Sequence, residues 1–378
     1  MRKLLCYMLF ALAAAACIYP YEAELPSDIP QRLVVYGDII IGEATQIELG
    51  YVRPLDQSIG DSPRVPQGSV RIECDNGKYY LGKTRGDGRF TFDTEEAAED
   101  ARYRILVKLK DGREYTMPWT GVNQAPEITD LYYNYDQDNM MLYCSLDGRD
   151  SIRNFSWTYD EVWEYHAYFM PDYLYQGGGK YKYVPKFKDY YYCWGNSTPD
   201  EPVMVSVGDL SVNHIEDNNF LTINLSDDKI SYIYSLNLVV RGLSSEAMTY
   251  LQHVRDFSKL TGDLFSPTPS EMRGNLFCVT DPDEPVVGYV SVCELASRRL
   301  FVNTTGIYRS KVNPDDLLFA PAPDEKGVLD YDWYFQFFSP VKMEGKQGPM
   351  LWAPKRCVDC REWGGTKQKP EWWPNDDE

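Results

Sequence analysis

The chain has 378 residues, and its formal net charge at pH 7 is −19. An acidic chain repels phosphate backbones, which argues against nucleic-acid binding. Its 30 tyrosines, 9 tryptophans and 24 prolines favour strands, interfaces and turns, so the composition predicts a mainly β protein, long enough for two domains.

Residues 1–16 have the pattern of a lipoprotein signal peptide. A basic start precedes an apolar run, Leu4 to Ala16, that is too short for a stable membrane span. Small residues then lead to Cys17, as in bacterial signals whose cysteine thiol receives diacylglycerol and whose finished anchor includes palmitate. Ala14 replaces the usual large aliphatic residue, and an ordinary secretory signal is the alternative. The pattern predicts lipidation of Cys17.

Residues 17–31 are predicted to form a tether, because they are acidic, contain prolines and lack periodicity. Glu22 and Glu24 resemble the export tags that send some Gram-negative lipoproteins to the outer cell surface. No later stretch is long and apolar enough for a membrane helix. We therefore expect a protein held at the outer membrane by lipid alone, on either its periplasmic face or the cell surface.

Residues 32–119 are predicted to form a β-sandwich, immunoglobulin-like or transthyretin-like. Asn76-Gly77 lies between two strand-like runs and predicts a hairpin. Between Tyr103 and Leu109, alternate residues are apolar, which is typical of a strand with one buried face.

Residues 120–127 are predicted to be a linker, and residues 128–378 a larger β-rich domain with one prominent helix near 244–260. Ser244 or Ser245 can cap this helix. Its apolar positions recur at helical spacing: Ala247, Leu251, Val254 and Phe257. Gly262 is expected to end it.

Residues 159–194 are crowded with aromatic side chains and include the run Gly177–Gly179. Aromatic faces stack on sugars, flat cofactors or peptides, so this segment predicts a contact surface for a ligand or partner. The candidate contact residues are Trp163, Tyr168, Tyr173 and Tyr175. Most of these residues are nevertheless predicted to be structural, in a hairpin with the glycine run at its tip, which the alternation of tyrosine and lysine in residues 180–183 favours.

Asp281, Asp283 and Glu284 offer the oxygen ligands that Ca²⁺ prefers. No EF-hand spacing follows, and carboxylates between prolines are ordinary in turns, so we expect no metal here. The sequence has no nucleophile elbow and no His-Glu-x-x-His motif, and its three histidines are isolated. It predicts a protein that is not an enzyme and needs no cofactor.

Cys357 and Cys360 lie close together near the C-terminus, where zinc, redox and disulfide chemistry are all conceivable. A zinc site needs two further ligands, and the βαβ setting of a redox centre is absent from the sequence pattern. In an exported protein a disulfide is the default, and Cys193 is a candidate partner for either cysteine. Trp372 and Trp373 are expected to dock on the domain or on a partner.

Three segments resemble the domain of unknown function 4249 family. The most specific is residues 244–302, which combines a helix with Pro-Thr-Pro-Ser, Gly-Asn and Asp-Pro-Asp-Glu-Pro in order; residues 32–39 and 357–373 are also similar. The resemblance implies an outer-membrane lipoprotein of Gram-negative bacteria, encoded beside a TonB-dependent receptor. It implies no ligand and no catalytic residue.

The leading hypothesis is therefore a non-enzymatic surface lipoprotein that assists a TonB-dependent receptor in nutrient capture. A structural or adhesive β-sandwich protein of the cell surface is the alternative. A secreted hydrolase is the third hypothesis, since paired carboxylates could hydrolyse glycosides, but an acidic chain supplies too many such pairs to choose among.

Overall fold

The structure is a computed structural model that describes residues 32–52, 65–148, 152–208, 213–260 and 274–374, with residues 258–260 described by their backbone alone. The predictions for the signal peptide, Cys17, the tether and Gly262 lie outside the described residues. The predicted mainly β fold is confirmed. No helix of the described ranges is long and apolar enough to cross a membrane.

The strands fall along the whole described chain. The first ten are β1 Leu33–Gly37, β2 Ile39–Ile41, β3 Thr45–Tyr51, β4 Gly68–Cys74, β5 Tyr79–Leu81, β6 Lys83–Thr84, β7 Arg89–Phe92, β8 Arg102–Leu109, β9 Glu114–Thr116 and β10 Thr120–Gly121. The next nine are β11 Glu127–Tyr135, β12 Asn139–Asp147, β13 Asn154–His166, β14 Tyr173–Tyr175, β15 Tyr181–Tyr183, β16 Tyr192–Ser197, β17 Val203–Ser206, β18 His214–Asn224 and β19 Ile233–Leu243. The last five are β20 Phe277–Cys278, β21 Val286–Val287, β22 Val292–Asn303, β23 Phe338–Met343 and β24 Met350–Pro354. The helices are α1 Ser245–Leu260 and α2 Tyr331–Tyr334, and short 3₁₀ turns lie at 228–230, 314–317, 355–357 and 360–363.

Two sheets pack around one core in the N-terminal part. Their orders are β21-β1-β3-β7-β6 and β20-β9-β8-β4-β5, with β10 beside β8. The predicted hairpin is present, because β4 pairs with β5 around Gly77, whose φ is +88°. Strand β8 buries every second residue from Tyr103 to Leu109, as its alternation predicts. Burying one face of each sheet supplies the main stabilisation of this part.

The chain returns to these N-terminal sheets late in the sequence. β20 pairs with β9, and β21 runs parallel to β1. Conversely, the early strand β2 leaves the N-terminal sheets and runs parallel to β22 at the edge of the larger sheet. The two parts of the chain thus exchange strands, and the predicted boundaries at 32–119, 120–127 and 128–378 stay a prediction.

A second core lies between the three-stranded sheet β11-β12-β18 and the larger sheet β16-β13-β19-β22-β2, which β17 extends beside β13. The central strand β19 pairs with β13 on one side and β22 on the other. Leu236, Leu238 and Val240 of this strand are completely buried. This rigid sheet carries the site described below.

Helix α1 begins after Ser244, whose Oγ accepts a 3.1 Å hydrogen bond from the backbone N–H of Ala247. The structure thus chooses Ser244 over Ser245 as the cap. Ala247 is buried, but Val254 and Phe257 are each 37% exposed. Only the first turns of the predicted apolar stripe pack on the described protein core.

Residues 159–194 form a hairpin in two stages, as the structural interpretation predicts. β13 pairs with β16 along six residue pairs, and beyond them β14 pairs with β15. Gly177, Gly178 and Gly179 lie at the tip, and all three have positive φ angles of 55° to 91°. Glycine is the residue that adopts this conformation at little cost.

Candidate functional site

A cleft of about 330 Å³ opens at the end of the larger sheet. Three tryptophans from distant parts of the chain line it, namely Trp163 of β13, Trp194 of β16 and Trp363 of the last 3₁₀ turn. Tyr165 and the polar turn 227–229 complete its walls. This mixture of aromatic and polar side chains in a concave site is typical of small-ligand sites.

Trp163 owes its position to the glycine opposite. In the register of β13 and β16, Trp163 pairs with Gly195. A Cβ atom at Gly195 would lie 2.5 Å from the Trp163 indole, closer than packed atoms approach. The glycine therefore lets the indole lie flat across the neighbouring strand.

Trp163 forms the first wall of the cleft, and the C-terminal segment with Trp363 forms the second wall. A disulfide holds this second wall in place. Cys193 and Cys360 are bonded, which confirms the predicted disulfide and pairs Cys193 with Cys360 rather than with Cys357. Cys357 is a buried free thiol, and burial raises its pKa. Beside the disulfide, Trp194 and Thr366 exchange backbone hydrogen bonds of 2.8 and 2.9 Å. These links fasten the C-terminal segment to strand β16.

The second wall is also tied to β13. The Tyr165 hydroxyl donates a 2.8 Å hydrogen bond to the carbonyl of Cys360. The Trp363 indole N–H donates to the carbonyl of Arg356 at 2.6 Å, and its ring lies 6.0 Å from that of Tyr165. Trp363 is nevertheless 37% exposed, so part of its face is open to solvent.

A charged pair lies against the first wall. The Lys229 ammonium is 2.8 Å from Oε2 of the buried Glu161, and the Tyr234 hydroxyl donates to the other oxygen at 2.9 Å. The same ammonium lies over the Trp163 ring, 5.0 Å from its centre. Burial, together with the charge and hydrogen bond of Glu161, raises the pKa of Tyr234 far above its ordinary value. Lys229 is thus fixed by a carboxylate and an aromatic face.

The acidic residues of the turn are oriented as well. Asp227 accepts a 3.0 Å hydrogen bond from the Lys229 backbone N–H and caps the 3₁₀ turn. Asp228 accepts from the Tyr308 hydroxyl at 2.8 Å. Burial and this hydrogen bond raise the pKa of Tyr308. Each polar group of the turn therefore has a partner that limits its movement.

Of the predicted contact residues, Trp163 lines the cleft, and the ring centre of Tyr168 lies 5.9 Å from that of Trp363. Tyr173 and Tyr175 belong to a separate aromatic cluster. Tyr173 packs on Tyr183 at 5.2 Å, and the Tyr175 hydroxyl donates to Asp332 at 2.6 Å.

The contact residues predicted from the sequence do not include Trp194, Trp363 or Lys229, all of which line the cleft. The sequence signal for the two tryptophans was their closeness to the candidate disulfide cysteines. Trp194 directly follows Cys193, and Trp363 lies three residues after Cys360.

Trp372 and Trp373 both lie beside β22 of the larger sheet. Trp373 is buried against Phe301 at 5.9 Å. Trp372 is exposed, and the Arg299 guanidinium lies 3.7 Å from its ring centre.

Two of the three carboxylates of the weak calcium candidate, those of Asp281 and Glu284, are used by the protein itself. Asp281 accepts from the Asp283 backbone N–H at 3.1 Å, which is turn chemistry. Glu284 forms a 2.6 Å ion pair with Arg113. Among the residues that the structure describes, no cluster of three or more His, Cys, Asp or Glu could hold a metal ion.

Fold and site together define a mainly β protein with an aromatic cleft closed by a disulfide. The chain belongs to the family described as Domain of unknown function (DUF4249), which it matches over residues 18–299. A comparison with curated proteins finds no match.

Two solved structures show low similarity to this chain. One is a protein from Bacteroides uniformis, provisionally described as carbohydrate binding, with 10% identity, a TM-score of 0.16 and coverage of 58% of this chain and 93% of that one. The other is a DUF3823 family protein from Parabacteroides merdae, with 11% identity, a TM-score of 0.15 and coverage of 58% and 94%. TM-scores this low carry no functional argument.

Proposed function

We propose that this protein is an exported, lipid-anchored lipoprotein of the outer membrane that captures a nutrient without chemically changing it and works beside a TonB-dependent receptor. The observation that carries the capture role is the cleft, where Trp163, Trp194 and Trp363 converge on a partly open space. A structural or adhesive protein has no need of such a concave site, so the cleft favours capture over that alternative.

The disulfide supports export. Bonds of this kind form and persist in oxidising compartments such as the periplasm and the cell surface. Cys193 and Cys360 are 167 residues apart, and their bond fastens the wall that carries Trp363. The signal pattern before Cys17 and membership of the family are consistent with this location.

The environment of the acidic residues supports a binding role over hydrolysis. Glu161 is engaged by Lys229 and Tyr234, and Asp228 by Tyr308. Glycoside hydrolysis needs one carboxylic acid and one carboxylate facing the bond to be broken. In the cleft these groups instead hold the walls in place.

In this proposal the lipid on Cys17 confines the protein to the membrane and raises its effective concentration near the receptor. The ligand would bind in the cleft and pass to the receptor, which would supply the energy for import.

The test is palmitate labelling and affinity purification from the native host membranes. We expect the tagged wild-type chain to carry label and to bring down a receptor barrel. Cys17→Ala should abolish the label and release the protein from the membrane, whereas Cys6→Ala, in the part that is removed, should change neither. An unlabelled wild-type chain, or one that never brings down a barrel, would contradict the proposal.

A further inference from the structure

We propose that the ligand of the cleft is a neutral saccharide, the size of a mono- or disaccharide; this rests on the capture role proposed above.

The aromatic side chains of the cleft suit a sugar ring. Sugar rings carry apolar C–H faces that stack on flat aromatic side chains, while their hydroxyl groups stay free to hydrogen-bond. Trp363 is 37% exposed and offers ring surface to the cleft, whereas the partly exposed Trp163 ring lies beneath the Lys229 ammonium. The disulfide and the Trp194–Thr366 backbone pair hold the wall of Trp363 in place before any ligand binds. A prearranged stacking surface lowers the entropic cost of binding.

The position of Lys229 argues against a cationic ligand. Tryptophan cages bind ammonium groups by placing the cation over the ring face. Here that position over Trp163 is taken by the Lys229 ammonium, 5.0 Å from the ring centre. Glu161 holds the ammonium there at 2.8 Å. A second cation would meet its positive charge.

The surrounding charges argue against an anionic ligand. Asp227 and Asp228 line the cleft, and the whole chain carries −19. The ammonium of Lys229, which lines the cleft and could attract a phosphate or carboxylate, is paired with Glu161. Like charges at a site repel an anion and slow its approach.

Polar groups at the opening suit hydroxyl ligands. Asn196 is exposed on β16 and lines the cleft, where its amide can both donate and accept hydrogen bonds. Asp228 accepts from Tyr308 and has further lone pairs available. A sugar hydroxyl both donates and accepts, and so can satisfy both groups.

The volume of about 330 Å³ limits the size of the ligand. It lies at the low end of the range of about 300–1,000 Å³ that small-molecule sites occupy. A mono- or disaccharide, or one end of a longer glycan, suits this space.

The test is binding of the full chain, purified in detergent, to an array of neutral mono- and disaccharides, with glucuronate, choline and a tripeptide mixture as competing probes. We expect at least one neutral saccharide to bind and to quench tryptophan fluorescence. The charged probes and the peptides should not bind. Trp363→Ala should weaken this binding by about tenfold or more, because it removes a stacking face. Trp372→Ala, an exposed tryptophan outside the cleft, should leave it within about twofold.

A second variant keeps the test informative if Trp363→Ala does not fold, as its unfolding midpoint would reveal. Asn196→Ala changes an exposed side chain and should weaken saccharide binding several-fold. The inference is overturned if no neutral saccharide binds, if only a charged probe or the peptides bind, or if binding survives the folded cleft variants. In those cases, palmitate labelling and receptor co-purification would still decide the proposed function independently.

Discussion

The indole N–H of Trp373 donates a 3.0 Å hydrogen bond to Oε2 of Glu164, although the two residues are 209 positions apart. Both residues are buried, and the other oxygen of Glu164 lies 2.9 Å from Nε2 of His166. The C-terminal tail is therefore an integral part of the sheet surface, and not a loose extension.

Replacing Trp373 by alanine should destabilise the protein by roughly 3 kcal/mol, because it removes a large buried side chain and one hydrogen-bond donor of a buried carboxylate. Trp372→Ala is the matched control. Its side chain is exposed and contacts Arg299, so the loss should stay near 1 kcal/mol or below. Urea unfolding measures both. Equal losses in the two variants would show that the tail does not dock as described.

Breaking the Cys193–Cys360 disulfide should destabilise the protein by roughly 4 kcal/mol, since the bond closes a loop of 167 residues and restricts the unfolded chain. The double variant with alanine at both positions should show this loss in denaturant unfolding, and Cys357→Ala should show a much smaller one.

Peptide mapping gives an independent check of the pairing. When the unreduced, denatured protein is alkylated, the cysteines 193 and 360 should stay unlabelled. The free thiols of the described residues should all react: Cys74, Cys144, Cys278, Cys293 and Cys357. A peptide linking Cys193 to Cys357 would contradict the structure.

Ser244→Ala should cost about 1 kcal/mol of unfolding free energy, because the backbone N–H of Ala247 loses its capping partner. Ser245→Ala is the control. The Ser245 hydroxyl accepts a long, exposed contact of 3.4 Å from the Asn154 amide. Thermal unfolding of the two variants compares them directly, and a larger loss for Ser245→Ala would reverse the assignment of the cap.

Stability should fall in alkali partly through Cys293. Burial on β22 raises the pKa of its thiol from 9.0 to about 11. Well below pH 9 the thiol is protonated in both the folded and the unfolded chain, so it does not change the free energy of unfolding there. Between pH 9 and 11 the unfolded chain loses this proton more readily than the folded chain, and the free energy of unfolding falls as pH rises.

The measurement is denaturant unfolding of the wild type and Cys293→Ala at pH 8, 9.5 and 11. The wild type should lose about 2 kcal/mol more than the variant across this range. Other titrating groups affect both proteins alike and cancel in the difference. Parallel curves would mean that Cys293 does not control this part of the pH dependence.

Local chemistry made part of this structure predictable. The alternation in β8 forces one face toward the core, the Asn76-Gly77 pair favours a tight turn, and the serine pair 244–245 marks the start of α1. Each of these features depends on residues within a few positions of one another, so the sequence pattern contains the whole signal.

Strand exchange between the two parts of the chain was not predictable in this way. β20 and β21 are two residues each, too short for a periodic pattern, and they join sheets formed more than 150 residues earlier. Their pairing depends on where the rest of the chain places an open sheet edge.

The sequence by itself determined the mainly β class, the hairpins, the helix and its starting region, and the expectation that one of two neighbouring cysteines forms a disulfide. Tertiary structure decided which one, because Cys357 and Cys360 are equivalent by spacing and only Cys360 reaches Cys193. It also decided the site, since Trp163, Trp194 and Trp363 meet only after β13 and β16 pair and the disulfide draws the C-terminal segment across them. Convergence of distant residues follows from packing in three dimensions, which local spacing does not record.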